Sequence, residues 1–78
     1  MSPQARADQI RDVRFTPLTF RKGYAMDDVD ALLDALENAA LAETSLASVI
    51  AGSRLRTTRL RPGYAIDEVD AFLDAIVD

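Results

Sequence analysis

Residues 21–36 read RKGYAMDDVDALLDAL, and residues 61–76 read RPGYAIDEVDAFLDAI. At an offset of 40 the two stretches share Arg, Gly, Tyr, Ala, Asp, Val, Asp, Ala, Leu, Asp and Ala, with conservative exchanges at Met26/Ile66, Asp28/Glu68, Leu32/Phe72 and Leu36/Ile76. Identity this dense at one offset is internal duplication, and duplicated short units usually pack on one another. The fold is therefore read for one unit and then doubled.

Outward from the motif, Met26, Val29, Leu32, Leu33, Leu36, Ala39 and Ala40 recur at helical spacing, with Asp27, Asp30, Asp34 and Glu37 mostly off that stripe. The pattern predicts an amphipathic helix from residue 26 to about 42. Asp27, Asp28 and Asp30 sit where carboxylates face the positive end of the helix dipole, which accounts for their charge without chemistry. Thr44 and Ser45 offer caps for a short helix through Ile50, closed by Gly52. One bent helix from Met26 to Ala51 is the alternative. The second copy predicts a helix from Ile66 carrying Val69, Phe72, Leu73, Ile76 and Val77.

Before the motif, Ser2 and Pro3 mark the cap and first position of a short helix over 3–13, which Thr16 and Pro17 stop. Phe15 to Lys22 and Leu55 to Pro62 read as extended basic arms whose alternation is poor for strands. Gly23 and Gly63 allow a positive φ or a close backbone approach, so a turn is expected there, with Tyr24 and Tyr64 packing over the helices that follow. Ala7, Ile10 and Phe15 fall on Ala47, Ile50 and Leu55 under the same offset, so the repeat includes the first helix. The chain is read as one domain, 1–78, of repeat units 3–42 and 43–78. Its expected fold is all-α: two tandem helix, arm, Gly-Tyr turn and helix units.

A chain of 78 residues buries only about 60% of the surface its unfolded form exposes, so a partner that shares the core is expected. Cys, His and Trp are absent, which removes disulfide, thiolate and imidazole chemistry. Lone glycines do not make a phosphate-cradling loop, and the carboxylates do not follow a calcium-loop pattern. No catalytic residue, cofactor, metal or small-molecule substrate is expected. The net charge of -4 argues against nucleic acid, as do acidic helices after the turns. Residues 1–24 carry +3, 25–50 carry -6, 51–64 carry +4 and 65–78 carry -5, so each unit is a basic arm followed by an acidic helix. The arm cations can neutralise neighbouring helices or meet anionic lipid. No apolar run reaches membrane-spanning length and the start lacks a signal-peptide core, so a cytoplasmic chain is expected.

The pattern R-x-G-Y-x-x-x-D/E-V-D-x-L/F-L-D, preceded by Ile10 to Phe15 and Ile50 to Leu55, resembles the N-terminal domain of the DivIVA family of bacterial division and polar-growth scaffolds, in the short tandem form of actinobacterial proteins. The resemblance implies a non-enzymatic self-association module, an intertwined homodimer whose Gly-Tyr turn leads into a helix pairing with a second chain. It also implies a crossing loop that touches membrane through an exposed aromatic beside a basic residue, at the inner face of the cell membrane. Longer relatives of the family are implied partners. Gly23, Tyr24, Gly63 and Tyr64 become the turn. Val29, Leu32, Leu33, Leu36, Val69, Phe72, Leu73 and Ile76 become the packing or dimer face, and Phe20, Arg21, Lys22, Arg59, Leu60 and Arg61 the membrane or partner contact. Three features depart from the family: Phe20 and Leu60 sit one position before the expected tip, Ala25 and Ala65 replace the usual Asp cap, and the stretch after Ile66 is too short for the family's long coiled coil. A DNA-associated adaptor and a helical oligomerisation domain without a membrane role are the alternatives.

Overall fold

The computed structural model describes residues 2–77. Helix α1 (Pro3–Asp12) is capped by Ser2, whose hydroxyl accepts from the Ala5 amide, with Pro3 in its first turn. Helix α2 (Met26–Leu41) has Ala25 at its N-cap with no side-chain bond there. Helix α3 (Leu46–Gly52) is capped by Ser45 through the Ser48 amide, and α4 spans Ile66–Ile76. Residues 42–45 separate α2 from α3, so the single bent helix is not formed. Gly52 is the last residue of α3 rather than the one beyond it, and Ser53 holds the C-cap.

The all-α expectation is wrong. The arms form strands: β1 (Pro17–Leu18), β2 (Gly23–Ala25), β3 (Thr57–Thr58) and β4 (Gly63–Tyr64), joined in one sheet of order β1-β4-β2-β3. Every pairing is antiparallel. Strands of two or three residues carry no readable alternation, and all their partners lie in the other repeat. The polar, arginine-rich arms therefore show extended character in the sequence but no strand pattern.

The register is that of a pseudo-twofold. Tyr24 faces Tyr64 at the centre, while Pro17 opposite Tyr64 and Leu18 opposite Gly63 are repeated as Thr57 opposite Tyr24 and Thr58 opposite Gly23. Thus β1 and β2 flank β4, and β3 and β4 flank β2. Each repeat threads its arm around the strand of the other.

Both stripes close on one core. Val29, Leu32 and Leu36 of α2 are buried in the same cluster as Val69, Leu73 and Ile76 of α4, with Ala7, Ile10, Ala39, Ala40 and Leu46. Leu33 and Phe72 are half-buried against it. The intertwining that the resemblance places between two chains here joins two halves of one chain.

Candidate functional site

The glycines position the arms. A Cβ on Gly23 would lie 2.7 Å from the Tyr64 carbonyl oxygen, and one on Gly63 would lie 2.8 Å from that of Tyr24. Neither glycine has a positive φ. Of the two roles open to them, only close backbone approach is used, and the bend falls earlier, over residues 19–21 and 59–61. Cross-strand bonding then extends beyond the sheet: the Ala25 amide donates to the Arg56 carbonyl, and the Ala65 amide to that of Thr16.

Carboxylates in the first helical turns grip the opposite arm. The Thr16 amide and hydroxyl donate to Glu68 at 2.7 and 2.8 Å. At the equivalent place the Arg56 amide, Nε and Nη2 donate to Asp28 at 2.9, 3.0 and 3.1 Å. The Thr16 amide, then its hydroxyl, holds the Glu68 carboxyl below the usual carboxylate range. The Arg56 guanidinium, then its amide, does the same for Asp28.

The tyrosines complete the exchange. Tyr24 Oη donates to Asp70 at 2.8 Å, and Tyr64 Oη to Asp30 at 3.4 Å. That bond to Asp70, then burial, raises the Tyr24 hydroxyl, whereas for Tyr64 burial comes first and the Asp30 charge second. The Phe15 ring centre lies 5.7 Å from that of Tyr64, tilted, and 5.8 Å from that of Phe72, edge-on, both in the other repeat. Neutralisation of helix acids by arm cations is legible in the sequence and is met by Arg56 on Asp28, whereas the Thr16 and tyrosine partners are not legible there. What the sequence does show is that Asp28/Glu68 and Asp30/Asp70 recur at the repeat offset.

What the framework presents to solvent is a pair of tips. Phe20 is 78% exposed and Leu60 85%, more than any other large hydrophobic side chain among the described residues. Arg21 and Lys22 follow Phe20, and Arg59 and Arg61 flank Leu60; all four are exposed, and none forms a salt bridge among the described residues. Of the arm cations, Arg56 alone pairs with a carboxylate there. The tips differ in backbone: Phe20 is held at φ 62°, in the left-handed region, and Leu60 is not. A bulky residue there is a genuine outlier, and such outliers concentrate at functional segments.

The structure thus places the sequence-derived contact residues on two exposed tips, one in each repeat, and turns the packing residues inward. Among the described residues, no group of His, Cys, Asp or Glu is arranged to hold a metal ion, and no helix is long and apolar enough to cross a membrane. No family model, curated protein or solved structure matches the chain.

Proposed function

We propose that this chain is a non-enzymatic, DivIVA-like structural or adaptor module that rests its two tips on anionic membrane and serves the division or polar-growth machinery. The observation that carries the reading is the pairing of an uncovered apolar side chain with two unpaired cations at each tip. Phe20 and Leu60 enter the headgroup boundary, while Arg21, Lys22, Arg59 and Arg61 stay at the phosphates. Apolar burial and attraction to anionic lipid add in such a contact. Both tips belong to one sheet, and engaging them together would make binding bivalent. The arms crossing between halves are the single-chain counterpart of the crossing that the resemblance implies between two chains. The acidic helices face the opposite charge requirement and suit protein partners instead.

Sedimentation with vesicles tests it. The chain should pellet with vesicles rich in anionic lipid and stay in solution with neutral ones. Arg59→Glu with Arg61→Glu should reduce binding by about five-fold or more for each cation removed. Phe20→Ser with Leu60→Ser should weaken it at unchanged charge. If the unaltered chain ignores anionic vesicles, the membrane role is lost and a self-contained association domain remains.

A further inference from the structure

The two edges of the sheet are not alike. In the order β1-β4-β2-β3 the outer strands are β1 and β3, and the same place in each is held by Pro17, opposite Tyr64, and by Thr57, opposite Tyr24. Proline has no N–H to offer and guards an exposed edge. Threonine keeps its N–H. The Ala25 amide donates to the Arg56 carbonyl in the register that sets Tyr24 against Thr57. Bonded and unbonded pairs alternate along an antiparallel ladder, so Thr57 turns its N–H and C=O away from β2. Among the described residues neither group has a hydrogen-bond partner, and Thr57 is exposed. One residue of an added antiparallel strand can therefore exchange both bonds with it.

Charge says what such a strand carries. Residues 51–64 hold +4 from Arg54, Arg56, Arg59 and Arg61, and of these only Arg56 is paired with a carboxylate among the described residues. Arg54, Arg59 and Arg61 stand exposed before and after Thr57 along the arm. A surface recess of about 460 Å³ beside β3 is lined in part by Met26, Asp27, Thr57, Thr58, Arg61 and Pro62. Its Asp27 and Arg61 carry opposite charge, so a neutral polar side chain fits there, between acidic ones that meet the arginines. A second copy is a poor occupant. Setting β3 against β3 would bring arginines opposite arginines, and like charges so placed are destabilising; setting β1 there would bring a proline with no N–H.

We propose that β3 is a docking edge for an acidic, extended segment of another protein, which adds a strand to the sheet at Thr57 and sets its carboxylates against Arg54, Arg59 and Arg61. Main-chain bonds supply the pairing, and the arginines supply the choice of partner. The opposite edge stays closed because Pro17 stands where Thr57 does. The proposal goes beyond the membrane reading and does not rest on it, since neither Thr57 nor Arg54 belongs to a tip.

Fluorescence anisotropy tests it on the full chain, with a short labelled peptide of alternating glutamate and threonine as the probe. That peptide should bind, and its counterpart with lysine for glutamate should not. Thr57→Pro copies the residue that β1 already accommodates at this place, so it should keep the fold while lowering peptide affinity about ten-fold. Its sedimentation with anionic vesicles should match that of the unaltered chain, which separates this edge from the tips. Arg54→Glu should weaken the peptide about three-fold. In the unaltered chain, the Thr57 N–H should become protected from hydrogen exchange when the peptide is added. Absence of peptide binding, equal binding of the lysine peptide, or a folded Thr57→Pro variant with full affinity would overturn the proposal. If Thr57→Pro does not fold, a Thr57 amide left unprotected in the peptide-saturated chain would do so.

Discussion

Half one and half two make equivalent cross-contacts, the arm clamp with different side chains and the tyrosine exchange with the same ones. At the arm, a neutral threonine meets glutamate on one side and an arginine meets aspartate on the other, yet the backbone amide of residue 16 or 56 donates in both. In the core, α1 buries Ala7 and Ile10 almost completely, whereas the equivalent Ala47 is exposed and Ile50 half-buried. Helix α3 has only seven residues, against ten in α1, and gives up packing as a result. The tips share composition but not backbone. Duplication thus preserved the backbone exchange and left side chains free to diverge wherever the opposite half diverged with them.

The strongest test of that equivalence is in the core. Leu36→Ala and Ile76→Ala remove equivalent buried side chains, 0% and 3% exposed, and each should destabilise by about 3 kcal/mol in denaturant titration. A much smaller loss at Ile76 would show that α4 contributes less than its burial implies. Next are the glycines. Gly23→Ala and Gly63→Ala should each lower stability by about 2 kcal/mol, because the added methyl meets a carbonyl of the opposite strand rather than a side chain that can move.

The tips should then separate. Phe20→Gly relieves a left-handed residue and should raise stability by about 1 kcal/mol. Leu60→Gly relieves nothing and should be neutral or slightly destabilising by the same titration. Equal effects would erase the difference between the tips.

The smallest effect is that of pH. Asp28 and Glu68 titrate below their unfolded values, so their contribution is complete above about pH 4 and is lost as pH falls through the depressed folded values. Thermal melts should show that acid limb shrinking in both Asp28→Asn and Glu68→Gln. Tyr24 and Tyr64 are shifted upward, so their contribution is complete below about pH 10 and fades as pH rises beyond it. A limb governed by one acid alone would break the equivalence of the clamps.

The sequence was most informative where a pattern is periodic or repeated. Helices α1, α2 and α4 fall within a residue or two of the positions read from their caps and stripes, since an apolar face at helical spacing can be buried in only one way. Ser2 and Ser45 were readable as caps because a cap is local. The sheet was not, nor were the grips of Glu68 on Thr16 and Asp28 on Arg56. Their donors and acceptors lie 52 and 28 residues apart, and no local preference of a polar arm encodes such partners.

By itself, then, the sequence determined that two like units exist, where their helices run, which faces turn inward and that the tips are cationic. Only the tertiary structure decided that the arms are strands, that each unit completes the other, and that Phe20 and Leu60 stay uncovered. Helical hydrogen bonds close within four residues and can be read locally, whereas ladder bonds exist only once distant segments meet.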